Sequence, residues 1–191
     1  MPILQIIIAS TRPGRVGLPV GTWFAERATA HGKFTVESVD LAEVNLPLMD
    51  EPNHPRLQKY TNPHTLAWSR QIARADAFVF VMPEYNYSFT APLKNALDYL
   101  HVEWNYKPVG FVSYGGISGG TRAVQGIKQV VTTLSMMPLP EAVTIPFVTQ
   151  FLDEQRHFNA NDMMEKSAVS MLNELYRWSG ALATLRQPST N

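Results

Sequence analysis

The chain has 191 residues, of which 45% are hydrophobic and 17% are charged, a composition typical of one globular domain with a sizeable core. Its 16 basic and 16 acidic residues cancel, so its charge gives no reason to expect nucleic acid or an anionic membrane surface as a partner. The sequence contains no cysteine, which excludes disulfides, iron–sulfur clusters and dithiol redox chemistry and leaves any electron transfer to an organic cofactor.

The amino-terminal third of the chain alternates between strand and helix. Residues 3–9 are almost all apolar, which predicts a central parallel strand covered on both faces. Because this run is too short to span a membrane and no basic segment precedes it, we expect a cytoplasmic protein without a membrane partner. After a loop over residues 10–17, we predict a helix over residues 18–30 and a strand over residues 34–41, whereas four prolines within residues 42–63 indicate irregular structure.

The alternation continues to the end of the chain. Asn62 before Pro63 predicts the N-cap and first residue of a helix that ends near residue 75. The remaining predicted elements are a strand over 77–82, a helix over 91–101, a strand over 109–114, a helix over 121–135, a strand over 142–145 and a helix over 161–185, followed by a tail over 186–191 that we expect to fray. Five strands separated by helices predict a parallel sheet covered on both faces, in a single domain over residues 1–191.

In such a sheet, ligands bind beyond the carboxyl ends of the strands, so the loops after the first, third and fourth strands are the candidate sites. The first loop combines hydroxyls, two arginines and the start of a helix, a combination suited to a phosphate: Ser10-Thr11-Arg12-Pro13-Gly14-Arg15-Val16-Gly17. It matches neither the dinucleotide-binding glycine pattern nor a P-loop. For this loop alone, a polar connecting turn with solvated arginines remains an alternative.

The other two loops suit a flat aromatic ligand. After the third strand comes Pro83-Glu84-Tyr85-Asn86-Tyr87-Ser88, in which the tyrosines offer ring faces and Glu84 and Asn86 offer hydrogen bonds to a polar edge. A proline turn whose tyrosines merely cover the sheet is equally open. After the fourth strand, four glycines in the six residues 115–120 let the backbone approach a ligand closely, with a flexible linker as the alternative.

These segments together resemble a known family. The run from Met82 to Ser88, followed by Pro92-Leu93-Lys94-Asn95-Ala96-Leu97-Asp98, resembles the signature of the NADPH-dependent FMN reductase family, which includes quinone, chromate and azo-dye reductases. The glycine-rich segment up to Ala123 resembles the second signature of that family, and the first loop resembles its phosphate site. The resemblance covers roughly residues 3–146 and implies a flavodoxin-like three-layer sandwich with a five-stranded parallel sheet in the order 2-1-3-4-5.

The resemblance also implies the chemistry and the residues of the site. It implies FMN as the cofactor, NADPH or NADH as the electron donor, and a small-molecule acceptor such as free flavin, a quinone, chromate, or an azo or nitro compound. The residues implied in FMN binding are Ser10, Arg12, Val16 and Gly17 for the phosphate, with Arg15 as a further ligand, Pro83, Glu84, Tyr85 and Asn86 along the isoalloxazine ring, largely through their backbone groups, and Ser113, Gly115, Gly116 and Ser118 at its other edge. Family members often carry a second hydroxyl residue where this chain has Val16-Gly17, so Arg15 or backbone N–H groups have to compensate. No catalytic side chain is assigned, and because the histidines lack metal-ligand spacing we expect no metal.

The resemblance to this family also implies that the protein forms a homodimer or homotetramer. Two other functions remain open, namely a flavodoxin-type electron carrier and a flavin-binding sensor without NAD(P)H turnover. Typical flavodoxins are strongly acidic and have a hydroxyl-rich first loop, so a neutral chain with Arg12 and Arg15 in that loop argues against the carrier.

Overall fold

Five parallel strands form one sheet in the order β2-β1-β3-β4-β5, which confirms the predicted fold class and strand order. The strands are β1 (Ile3–Ile8), β2 (Thr35–Asp40), β3 (Ala77–Pro83), β4 (Pro108–Tyr114) and β5 (Met137–Ile145). This computed structural model describes residues 1–186. Arg186, the first residue of the tail predicted to fray, ends a short 3-10 helix and its guanidinium donates to Asp76, whereas residues 187–191 lie outside the described residues.

Within residues 1–186, six α-helices cover the two faces of the sheet: α1 (Gly17–His31), α2 (Leu41–Val44), α3 (Pro63–Ala73), α4 (Ala91–Asp98), α5 (Thr121–Thr133) and α6 (Asp162–Leu182). Apolar side chains of α3, α4 and α5 pack in one core cluster, and those of α1 and α6 pack in a second cluster on the opposite face. The sheet therefore lies between two helical layers, as the alternation of strands and helices predicts. Within residues 1–186, no helix combines the length and apolar character that a membrane span requires.

The register of the central strands brings three loops to one edge of the sheet. Every residue of β3 and of β4 is buried, as expected for central strands with helices on both faces. Ile8 near the end of β1 pairs with Val81, and Pro83 at the end of β3 pairs with Tyr114 at the end of β4. Since β1 has β2 on one side and β3 on the other, the chain reverses its direction of winding there, and this is where a parallel sheet forms a ligand crevice.

The strand β5 and the helix α2 differ most from the predicted elements. β5 begins at Met137 instead of residue 142, because Pro138 and Pro140 lie on an edge strand, where a missing N–H is tolerated, beside an irregularity in the pairing with β4. The short helix α2 was not predicted. It begins directly after β2 because the Asp40 side chain accepts a hydrogen bond from the Ala42 amide, 3.0 Å away, and so caps the helix.

The start of α3 also differs in detail. Asn62 occupies the predicted N-cap position, but its side chain makes no capping hydrogen bond and donates instead to the Asp50 carboxylate, at 3.0 Å. The Glu51 carboxylate accepts from the backbone amides of Thr61 and Asn62, at 2.9 Å each. Glu51 therefore satisfies amides that lead into the helix, although it is distant in sequence from α3.

A lysine is buried where the strands begin, at the end of the sheet opposite the three loops. The Lys107 ammonium donates to the carbonyl oxygens of Ile72, at 2.9 Å, and Ala73, at 3.1 Å, and so caps the carboxyl end of α3. Its Nζ also lies 5.6 Å from the centroid of the Phe78 ring. Burial lowers the pKa of Lys107 to about 8, and the nearby Arg186 guanidinium acts in the same direction.

This lowered pKa predicts a rise in stability with pH. Between about pH 8 and about pH 10.5 the unfolded chain keeps a proton that folded Lys107 has released, so the free energy of unfolding increases with pH. Urea unfolding at about pH 7.5 and about pH 9.5 should give an increase of about 2 kcal/mol from this group, absent in Lys107→Met. Lys166→Met, at an exposed position of α6, serves as the control and should retain the increase. An equal pH dependence in wild type and Lys107→Met would contradict the assignment.

Candidate active site

Hydrogen bonds join the three loops at the carboxyl edge of the sheet. The Ala9 amide donates to the Val81 carbonyl at 2.9 Å, and the Glu84 amide donates to the Tyr114 carbonyl at 3.0 Å. The buried hydroxyl of Thr90, which caps α4, donates to the Ala9 carbonyl at 2.9 Å. The loops after β1, β3 and β4 therefore form one continuous surface.

The first loop presents the open end of a helix. Val16 is the N-cap residue of α1 and has no side chain able to cap it, and the first turn carries no acidic residue. The partial positive charge of the helix and its free N–H groups are thus left for an anion. Arg12 is exposed beside this end, and Ser10 is fully buried beneath it.

Arg15 has a different environment from the one predicted. Its guanidinium forms an ion pair with Asp40 at the end of β2 and donates to the Ser10 carbonyl at 2.8 Å. From the far side, the Arg156 guanidinium donates to the carbonyl oxygens of Gly14, at 2.9 Å, and Arg15, at 3.2 Å. Arg15 and Arg156 therefore brace the loop, and the side chain of Arg15 is engaged by a carboxylate.

Two buried hydroxyls lie against the first residue of α1. A Cβ atom on Gly17 would overlap Ser10 Oγ and would lie 2.5 Å from the Tyr114 hydroxyl oxygen. Within residues 1–186, neither hydroxyl has a hydrogen-bond partner. Burial raises the pKa of Tyr114 well above its ordinary value, so this phenol stays protonated and can donate. A glycine-lined cradle with two unpaired donors at a helix N-terminus fits a phosphate group such as that of FMN.

The loop after β3 is joined to the loop after β4 through a buried carboxylate. The Glu84 side chain, 7% exposed, accepts from Ser118 Oγ at 2.8 Å, from the Arg122 amide at 3.1 Å and from the Arg122 guanidinium at 2.9 Å. Burial opposes ionisation of this group, but these hydrogen bonds outweigh burial and the pKa of Glu84 is lowered. Its charged oxygens are therefore engaged within the protein, so the Glu84 side chain holds the two loops together instead of being free to bond a ligand edge.

Residues 85–88 form a tight two-residue turn. Tyr85 and Ser88 exchange two backbone hydrogen bonds of 2.9 Å, and the residues between them, Asn86 and Tyr87, have φ angles of 50° and 68°. This left-handed conformation is unfavourable for tyrosine and turns the Tyr87 ring outward, where it is 71% exposed. The Arg122 guanidinium lies 4.2 Å from the centroid of that ring, at the distance of a cation–π contact.

The glycine-rich loop approaches the other two loops through its backbone. Gly120 has a φ angle of 89°, and a Cβ there would lie 2.9 Å from the Tyr114 amide, so only glycine fits. Ser113, predicted at the edge of the ring, is fully buried and its hydroxyl donates to the Gly119 carbonyl at 2.9 Å. Gly116 faces open space and is exposed. The structure thus gathers all the predicted residues in one region, with Ser113, Glu84 and Arg15 as supports of the loops.

Sequence reasoning missed Tyr114 and Arg156. Tyr114 directly precedes the glycine-rich loop, and that position is the only signal for it in the sequence. Arg156 lies between β5 and α6 and shows no signal, because its partners are backbone carbonyls far away in the chain.

Known proteins resemble this chain in sequence and in fold. The model of the NADPH-dependent FMN reductase family matches residues 1–150. An NAD(P)H-dependent FMN reductase of Schizosaccharomyces pombe is 44% identical over 149 residues, covering 76% of this chain and 74% of that protein. A quinone reductase of Pseudomonas putida is 32% identical over 150 residues, covering 73% and 75% of the two chains. The flavoenzyme NAD(P)H:(acceptor) oxidoreductase FerB of Paracoccus denitrificans shares the fold, with a TM-score of 0.73, 18% identity and coverage of 95% of this chain and 98% of that one.

The Glu84 contacts predict a large effect of removing one carboxylate. In Glu84→Ala, Ser118 and Arg122 lose their shared acceptor and the two loops separate, so we expect the free energy of unfolding to fall by about 1–3 kcal/mol. Glu174→Ala is the matched control, because it removes an ion pair with Arg177 on the exposed side of α6 and should cost less than about 1 kcal/mol. Urea unfolding followed by tryptophan fluorescence measures both, and equal losses in the two variants would show that Glu84 is not a joint between the loops.

Proposed function

The chain belongs to the NADPH-dependent FMN reductase family, and from this membership we propose which of its residues bind the cofactor and which acceptors it serves. It is an oxidoreductase that uses FMN and NAD(P)H. The observation that carries the assignment to this site is the uncapped N-terminus of α1, which lies at the same edge as the two loops suited to a flat ring. A phosphate site and a ring site on one continuous surface are what FMN requires.

The first loop is the proposed phosphate site. In this proposal the backbone N–H groups of Val16 and Gly17 and the exposed Arg12 bind the phosphate, and the Ser10 hydroxyl donates to it from below. Arg15 contributes indirectly, because its ion pair with Asp40 fixes the loop in the shape that presents these donors. Keeping the loop rigid before binding reduces the entropy lost when the cofactor binds.

The other two loops are the proposed ring site. The backbone of residues 83–86 and of Gly115 and Gly116 lines the isoalloxazine ring, and the side chains of Glu84, Ser113 and Ser118 hold that backbone in place. When bound, FMN supplies the two-electron chemistry that connects NAD(P)H to an acceptor. The chain itself binds and orients the ring, and its backbone donors stabilise negative charge near the pyrimidine edge.

We propose small, flat molecules such as free flavin or quinones as acceptors. Support comes from the exposed position of the ring site, where Tyr85, Asn86 and Gly116 all lie at the surface. An aromatic acceptor can reach such a surface and stack there, whereas a buried site would restrict its entry. The names of the relatives, which include a quinone reductase, agree with this class.

We also propose a single FMN-binding domain over residues 1–191 that forms a homodimer or homotetramer in the cytoplasm. Around the ring site, Tyr87, Ile117 and Phe147 are all exposed, and a group of exposed apolar side chains favours association. The absence of net charge gives two copies little reason to repel each other.

An anaerobic titration of the FMN-loaded protein with NADPH tests the proposed function. We expect the absorbance of oxidised flavin to bleach rapidly, and to return when oxygen or a quinone is admitted, because the protein holds a flavin that accepts electrons from the nucleotide. Binding of FMN without bleaching by NADPH or NADH would favour a carrier or sensor. Failure to bind FMN at all would refute the assignment.

Two glycine variants provide a matched control for this titration. In Gly17→Ala the new methyl group meets both buried hydroxyls, so we expect FMN affinity to fall at least about tenfold and bleaching to require excess FMN. In Gly180→Ala on α6 a Cβ meets no atom within 4 Å, and affinity should be unchanged. If the two variants bind FMN equally well, the phosphate does not lie at the start of α1.

A further inference from the structure

We propose that Tyr114 is a ligand of the FMN phosphate and supplies the hydroxyl that the first loop lacks at Val16 and Gly17. This inference rests on the proposed function and adds a residue from outside the loop to its phosphate site. Tyr114 ends β4, so a strand two positions away in the sheet from β1 would complete the site at the start of α1.

The position of the Tyr114 side chain is the first support. Its ring packs in the core cluster between the sheet and helices α1 and α6, and the residue is only 3% exposed. The hydroxyl end reaches the first turn of α1, where a Cβ on Gly17 would lie 2.5 Å from it. Ser10 Oγ lies against the same glycine, so a hydroxyl from β4 and one from the first loop meet beneath the helix N-terminus.

The second support is that the Tyr114 hydroxyl makes no hydrogen bond of acceptable geometry within residues 1–186, although the Ser10 hydroxyl is near enough to lower its pKa against the larger effect of burial. Buried hydroxyls are nearly always paired, and the other buried or half-buried tyrosines of this chain follow the rule. The Tyr99 hydroxyl donates to the Pro47 carbonyl at 3.1 Å and to Asp50 at 3.0 Å, and the Tyr60 hydroxyl donates to Glu103 at 3.1 Å. Tyr114 and Ser10 are exceptions at one place, and a bound anion offers the acceptor that both lack.

The third support is the electrostatic character of this place. The N-terminus of the 15-residue helix α1 is uncapped and carries no acidic residue in its first turn. The guanidinium groups of Arg12 and Arg15 are near enough to act on the Tyr114 hydroxyl, and the phenol remains a neutral donor because burial raises its pKa. Positive potential and unpaired donors select a group with several acceptor oxygens and negative charge, which in FMN is the phosphate.

Gly17 explains why the loop has no hydroxyl of its own at this point. A side chain on residue 17 would occupy the space into which Tyr114 and Ser10 project, so a loop hydroxyl at this position and the tyrosine hydroxyl exclude each other. The hydroxyl donor at this point of the site therefore comes from Tyr114 at the end of β4 instead of from the first loop.

The test compares FMN with riboflavin, which lacks the phosphate, in Tyr114→Phe and in Tyr99→Phe. Binding of each flavin is measured through the quenching of its fluorescence. Tyr114→Phe should weaken FMN binding about tenfold or more, as expected for losing a hydrogen bond to a charged group, and should change riboflavin binding less than about twofold. Tyr99→Phe removes a buried hydroxyl whose partners, Pro47 and Asp50, belong to none of the three loops, and it should leave FMN binding unchanged.

Thermal unfolding of the flavin-free variants shows whether Tyr114 binds the phosphate or only stabilises the fold. Tyr114→Phe removes an unpaired hydroxyl, so the flavin-free variant should be at least as stable as wild type, whereas Tyr99→Phe should be less stable. Unchanged FMN affinity in Tyr114→Phe would overturn the inference. So would equal losses for FMN and riboflavin, or a flavin-free Tyr114→Phe protein as destabilised as Tyr99→Phe. If wild type binds neither flavin, the proposed function itself fails.

Discussion

Parallel pairing of β1 with β3 and of β3 with β4 brings the carboxyl ends of three strands to one edge of the sheet. Each of the three loops leaves its strand there, and hydrogen bonds between Ala9 and Val81 and between Glu84 and Tyr114 keep the loops in contact. Without this register, residues from three distant parts of the chain could not form one surface. The helices then cover the faces and leave that edge open, which is the general location of ligands in sheets of this kind.

Charged side chains in and beside these loops mainly hold the loops together. Glu84 joins two loops, Arg15 pairs with Asp40, and Arg156 grips the first loop from outside. Backbone groups, small residues and the exposed Arg12 are left for the proposed contacts with the cofactor. This division of roles favours precise positioning of the cofactor, because backbone groups move less than long side chains. A loop that is already held in place also needs little rearrangement on binding.

Most of the fold was predictable because its signals are local. The apolar run of β3 and the glycine-rich loop before α5 can be recognised without knowing their neighbours. Features that depend on distant partners were missed. The bond between the Glu84 side chain and Ser118 gives no signal in the sequence, because Ser118 lies 34 residues further along the chain. Pro138 and Pro140 hid the start of β5, since nothing in the sequence marks a strand as an edge strand. The role of Tyr114 depends on Gly17, and only the folded chain brings the two together.

The hydrogen bonds from Arg156 to the carbonyl oxygens of Gly14 and Arg15 tie the carboxyl-terminal part of the chain to the first loop. The family match ends at residue 150, yet the first loop is held by a residue beyond that limit. Further on, Met171 and Leu175 of α6 pack so closely on Gly110 of β4 that a Cβ on the glycine would meet the Met171 sulfur at 2.6 Å. The segment that matches the family is therefore shorter than the part of the chain that packs together. A fragment that ends at residue 150 would lose α6, which packs on one face of the sheet, and Arg156, which supports the first loop.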